Sequence, residues 1–307
     1  MTTTTTKSTV PQERGRHTEP SRAPGHGPPA PVRDTRLGAR THLRHIVALV
    51  RRNALQIKRD PESMADALAA PIIFTLLFVY VFGGAISGGA ISDGSLPGGA
   101  VSGDGSRDAY VNYVVPGLMA MMGLSIAMAV GTGINDDIGK GVMDRFRSMP
   151  IARSSVLIAK LVVELARMSL SMGILLVMGF LLGMEVHTSP LHLLAAMALS
   201  LLFGASLIWI FILLGLAMKT PQSVQGVAML VVLPLQFGSS IFAPTSTMPD
   251  WLQTFTDVNP LSNLADAARA LVNGGELASS VWWTLGWAVA ITAITAPIAV
   301  ARFCRRD

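Results

Sequence analysis

Residues 135–153 read NDDIGKGVMDRFRSMPIAR. Asp136, Asp137, Lys140, Asp144, Arg145, Arg147 and Arg153 stand together here in a chain of which only 14% of residues are charged. On either side run apolar stretches, 113–134 and 156–183, each long enough to cross a bilayer, which takes about 20 residues of helix. A charged island between two such stretches predicts a helical membrane protein with several spans. The island itself reads as a short basic loop by which such a protein can be gripped from the cytoplasm.

Composition agrees. The 307 residues are 50% hydrophobic and their mean hydropathy is +0.49, too apolar for an ordinary soluble domain. Aromatic residues make up 6%, while there are 29 glycines and 16 methionines. Small residues let membrane helices approach closely, so this bias suits a packed helical bundle. The apolar runs are continuous, without the strict alternation that a membrane β-barrel requires. The isoelectric point near 9.8 invites a nucleic-acid reading, but the basic residues cluster beside the apolar runs, where membrane topology accounts for them. A single cysteine, Cys304, excludes an intramolecular disulfide and any cysteine-based metal site.

Outward from the island the chain divides into a tail (1–38), an amphipathic segment (39–60) and a span-bearing region (61–307). The tail, rich in Thr, Pro, Gly, Arg and His, cannot bury enough apolar surface to fold and reads as disordered and cytoplasmic. It lacks the apolar core of a signal peptide, so insertion by the first span is expected. In the next segment Leu43, Ile46, Val47, Val50, Ala54 and Ile57 fall within an arc of roughly 100°. Arg44, His45, Arg51, Arg52, Lys58 and Arg59 flank or oppose that stripe, the pattern of a helix lying among anionic headgroups. Six spans are then expected, at 67–86, 113–134, 156–183, 191–218, 224–242 and 281–303. The Gly- and Ser-rich loop 87–112 reads as flexible and external, and 184–190 and 219–222 as tight turns between antiparallel neighbours. Two short helices, 250–255 and 260–272, are placed at the outer interface. All but two of the 24 lysines and arginines fall on one side of this topology, the exceptions being Arg107 and Arg269. The positive-inside rule therefore puts both termini in the cytoplasm.

Motifs for chemistry are absent. No G-x-x-x-x-G-K-[ST] occurs; Gly139-Lys140 comes nearest, but Ile134 stands where the upstream glycine belongs. His187, His192 and Glu185 share one external turn and read as solvated loop residues rather than a metal site. Ionisable residues within spans are nearly confined to Lys160, Glu164 and Arg167, all in one half of the third span. Glu164 and Arg167, three apart, predict an ion pair at the inner interface. An ion-coupled carrier needs carboxylates near the membrane midplane, and the remaining spans offer none. Energy must come from elsewhere. Uncharged polar and soft groups, Ser125, Thr132, Gln225, Gln236, Ser239 and Ser240 with Met119, Met121, Met122 and Met128, suit helix packing or a path for an amphipathic molecule.

Several motifs together resemble one family. RN (52–53), RDP (59–61), FVYVFGG (78–84) and YVVPG (113–117) are followed by GVMDRFRSMPIAR (141–153). Later come FAP (242–244), MPDWL (248–252), NP (259–260) and DAARAL (266–271). In this order and spacing, over about residues 45–303, the set resembles the ABC type-2 permeases of the daunorubicin- and doxorubicin-resistance branch. The resemblance implies an all-α, six-helix permease that dimerises in the cytoplasmic membrane and docks two copies of a separate ATPase, which carries the ATP and Mg. It also implies that Asp137, Val142, Met143, Asp144, Arg145, Phe146 and Arg147 belong to the coupling element seated in the ATPase, with Val142, Met143 and Phe146 as apolar anchors. Related permeases often carry a glutamate where this chain has Asp136 and Asp137. The second and fifth spans would face the dimer axis, placing Met122, Ser125, Gln236 and Ser239 beside the substrate path. The function so implied is ATP-driven export of hydrophobic small molecules such as antibiotics, with glycan or lipid export and ATP-independent carriage as the alternatives.

Overall fold

A computed structural model of the chain describes residues 61–82, 107–141, 153–275 and 278–305, and all regular structure among them is helical. The tail and the amphipathic segment of residues 39–60 lie outside the described residues. Helix α1 (Pro61–Leu77) passes directly into a π-helical turn, Phe78–Phe82. Then come α2 (Arg107–Gly139), α3 (Arg153–Leu181), α4 (Pro190–Ala217) and α5 (Pro221–Phe237). Two short helices, α6 (Asp250–Val258) and α7 (Pro260–Asn273), precede the last, α8 (Ala278–Arg305).

Four of these are long and apolar enough to cross a membrane: Asp108–Gly139, Val156–Leu181, Pro190–Ala217 and Ser279–Phe303. The first and fifth expected spans are shorter, α5 ending at Phe237 rather than 242. Pro234 inside α5 and Gly238 at its end account for the early stop, since neither supports continued helix. The second helix departs from expectation in the other direction. It starts at Arg107, inside the supposed external loop, and runs through Asp136 and Asp137 to Gly139. A helix stops where its backbone is broken, and here that is Gly141, whose φ of +67° is left-handed.

Proline and Asn, Ser or Thr mark the helix starts. Thr220 accepts a hydrogen bond from the Ser223 amide ahead of Pro221, and the Asn259 side chain accepts from Leu261 ahead of Pro260. Proline at the first helical position gives up only an amide that would have no partner there.

Helix α2 is the axis of the bundle, with 83% of its membrane-length window buried, against 17% for α8. It packs on α4, α7, α3 and α5, and α4 in turn carries α8. The α2–α4 seam is built on small residues. A Cβ on Gly131 would stand 2.6 Å from the Phe211 carbonyl oxygen, one on Gly215 would collide with the Gly131 carbonyl, and Met168 fills the space between Gly123 and Gly204. Such contact brings backbone against backbone, the main source of helix affinity where lipid is as apolar as the side chains. Asn135 closes the seam, its amide donating to the carbonyls of Gly215 (2.9 Å) and Met218 (2.8 Å), which the end of α4 leaves without helical partners.

Helix α5 is attached along one line, Val224, Ala228, Val232 and Gln236, at a spacing of four. Its other faces expose Leu230, Val231 and Phe237. Replacing Gly215 by Ile should therefore cost about 1–3 kcal/mol by overpacking. Gly226→Ala, on α5 with nothing near its Cβ, should stabilise by about 0.5–1 kcal/mol. Thermal unfolding in mild detergent separates the two.

Candidate functional site

Two clusters of described polar residues lie at the two ends of α2, Tyr113 and Asp137 being about 36 Å apart along the helix at 1.5 Å per residue. At the first end the chain leaves α5 through Gly238–Phe242 and turns into α6 and α7. This non-helical backbone has carbonyls to satisfy away from water. Arg269 on α7 satisfies them. It is 1% exposed, and all five of its N–H donors are placed. Nε donates to the Tyr113 carbonyl (2.9 Å), Nη1 to Asp266 (2.7 Å) and the Ser240 hydroxyl (3.3 Å), and Nη2 to the carbonyls of Ser240 (2.6 Å) and Ile241 (2.9 Å). The guanidinium also lies over the Tyr113 ring, 3.7 Å from its centroid. Tyr113 donates its own hydroxyl to Ser240 (2.7 Å), and Asn259 donates to the carbonyls of Leu235 and Gly238.

Gly117 is part of this arrangement, because a Cβ there would meet the Ile241 oxygen at 2.7 Å and Arg269 Nη2 at 2.8 Å. Pro116 has no amide, so the Asn112 carbonyl one turn earlier loses its helical donor. Asn273 takes that place at 2.9 Å, while the Asn112 side chain accepts from the Glu185 amide. Around the rim, Phe78 stacks on Phe242 with centroids 4.4 Å apart.

At the other end Asp136 and Asp137 occupy the last turn of α2, the negative pole of the helix, where carboxylates are unfavourable. A lysine answers each: Lys140 lies 2.6 Å from Asp136, and Lys160 on α3 lies 2.8 Å from Asp137. The hydrogen bond to Asp136 raises the Lys140 ammonium above its ordinary value. That pair is solvent-exposed and adds little to stability. Deeper on α3, Glu164 approaches Arg167 to 3.3 Å. Glu164 Oε2 and Arg167 Nε are both buried, and neither has a hydrogen-bond partner.

Of the coupling residues expected from sequence, Asp137 is thus on helix and held to α3, whereas Val142, Met143, Asp144, Arg145, Phe146 and Arg147 lie outside the described residues. Met122, Gln236 and Ser239 are buried and Ser125 half-buried, on α2 and on α5 with the turn after it, two elements that pack together. The Ser239 hydroxyl is engaged locally, donating to the Gln236 carbonyl and accepting from the Ile241 amide. The sequence reading missed the burial of Arg269. A signal for it exists: Arg269 falls on the apolar stripe of Leu261, Leu264, Ala265, Ala268 and Val272.

A bundle centred on α2, with a capped end and a charged end, now meets comparison with known proteins. The profile of the ABC-2 type transporter family matches residues 44–272. The chain belongs to that family. Among its ABC-2 relatives, the daunorubicin resistance ABC transporter permease protein of Streptomyces coeruleorubidus is 32% identical over 242 residues, covering 79% of this chain and 78% of that one. The doxorubicin resistance ABC transporter permease protein of Mycobacterium tuberculosis is 30% identical over 201 residues, 62% of this chain and 69% of its own. A probable multidrug ABC transporter permease of Escherichia coli is 24% identical over 202 residues, 64% of this chain and 53% of its own. This ABC-2 protein is accordingly membrane-embedded, and the family match takes in both the Arg269 cluster and the charged end of α2.

Arg269→Met should destabilise the protein by about 1–3 kcal/mol for each buried carbonyl, of Tyr113, Ser240 and Ile241, that is left without a donor. Asp266→Asn in the same chain should recover little, because the Asp266 carboxylate is 37% exposed and stays solvated. Melting temperatures of the single and double variants in detergent test both statements.

Proposed function

We propose that the chain is the permease subunit of an ABC exporter that moves hydrophobic small molecules such as antibiotics outward across the cytoplasmic membrane. A separate chain would hydrolyse the ATP. The carrying observation is the 32% identity, over about four-fifths of each chain, to a daunorubicin resistance permease. In this reading α1 with its π turn and α5 are the two short spans of a six-helix unit. Seventeen residues of helix reach about 26 Å, close to the roughly 30 Å of a hydrocarbon core that can thin locally.

With both termini cytoplasmic by the distribution of lysine and arginine, α6 and α7 cap the outer end and the last turn of α2 faces the cytoplasm. The following segment, with Val142, Met143, Asp144, Arg145, Phe146 and Arg147, would seat in the ATPase. Apolar anchors fixed by charge pairs transmit a rigid-body push when the two ATPase copies close on ATP and Mg. Two permease copies would face each other across α2 and α5; the exposed apolar face of α5, with Leu230, Val231 and Phe237, supports its part in that pairing, whereas α2 is largely buried within its own copy. Met122, Ser125 and Gln236, with Ser239 at the outer turn, then border the path between them.

The test is a mild-detergent pull-down of the tagged protein from its native membrane. Wild type should bring down a soluble P-loop ATPase, and Arg145→Glu/Phe146→Ala should lose it while eluting as folded protein. Folded wild type that recovers no ATPase under conditions preserving such complexes would count against the proposal.

A further inference from the structure

On α3, Lys160, Glu164 and Arg167 follow one another at spacings of four and three, so they share one face. The central member lies between two cations, and both act electrostatically on its carboxylate. Arg167 is the nearer of them, at 3.3 Å, and the other is occupied elsewhere: Lys160 Nζ hydrogen-bonds Asp137 on α2 at 2.8 Å. Glu164 Oε2 is buried and ion-paired with Arg167 Nε at 3.3 Å, but it accepts no hydrogen bond. A buried carboxylate oxygen without a donor is a costly feature that a protein retains only for a reason. Lys160, whose ammonium carries three donors, stands one turn earlier on the same helix. Opposite the lysine, α2 presents Gly133, where among the described residues a Cβ would meet only Lys160 Nζ within 4 Å, at 3.5 Å. The lysine therefore has room to swing along α2.

We propose that Lys160 is a shared cation, holding Asp137 in the arrangement seen here and passing to Glu164 when the ends of α2 and α3 part. The inference rests on the permease reading, because the parting force is the ATPase acting on the segment that joins these two helices. In the first arrangement the lysine clamps the base of α2 to α3. In the second it completes the hydrogen bonding of Glu164, so the opened state gains a bond in place of the one it loses. Two discrete pairings of one ammonium make the junction bistable rather than continuously deformable.

Double-mutant cycles on the permease–ATPase complex test this, with Lys160→Met, Asp137→Asn and Glu164→Gln read as melting temperature in the ATP-free and the vanadate-trapped complex. Lys160 should couple to Asp137 without nucleotide and to Glu164 when trapped. Glu164→Asp keeps the charge but draws it back from both Arg167 and Lys160. It should lower ATP-driven transport about tenfold, within the usual range of such couplings. A complex that hydrolyses ATP but keeps Lys160 coupled to Asp137 in both states overturns the exchange alone, as does Glu164→Asp with wild-type transport. A permease that recruits no ATPase takes the reading and the exchange down together.

Discussion

Away from water, a backbone that leaves the helix must find donors for its carbonyls, and this constraint shapes the whole capped end of the molecule. The chain breaks helix between Phe237 and Asp250, and Arg269 makes that break tolerable. One guanidinium reaches α2, the Ser240–Ile241 turn and its own neighbour Asp266. It requires a glycine opposite, supplied by Gly117, and an aromatic floor, supplied by Tyr113. The position of α7 against α2 follows, and so does the course of the chain from α5.

Helix α2 then carries this order to the far end. Its glycines set the distance to α4, and its Asn135 finishes that helix. Two carboxylates at its negative pole need cations, which ties the last turn to Lys140 and Lys160. A single rigid rod thus links a cluster that holds backbone in place to one that exchanges charge. The surrounding helices are attached less firmly, α8 least of all by burial.

Much of this was legible beforehand. Helices α3, α4 and α8 lie close to their expected bounds, because long apolar runs ended by Gly, Pro or charge leave little choice. The two short helices were readable from Pro249 and Pro260 and from the apolar spacing after them. The extent of α2 was not, since Asp136 and Asp137 mark the end of an apolar run without breaking the backbone. Nor was the Arg269 cluster, because most of its acceptors are main-chain carbonyls, and a carbonyl has the same identity in every residue. The local engagement of the Ser239 hydroxyl was hidden for the same reason, since it bonds main-chain groups of a turn whose geometry no composition reveals. The coupling residues after Gly141 rest on motif likeness.

That the arginine addresses main chain has an evolutionary side. What it fixes is the path of residues 238–242, not their side chains, so neighbouring positions are free to drift provided the turn keeps its course. A lineage could recolour this capped end almost completely, exchanging one exposed surface for another, while Arg269, Gly117 and Tyr113 stay put. Divergence in surface chemistry would then proceed on an unaltered frame, and two members of such a lineage could differ widely outside while sharing one architecture within.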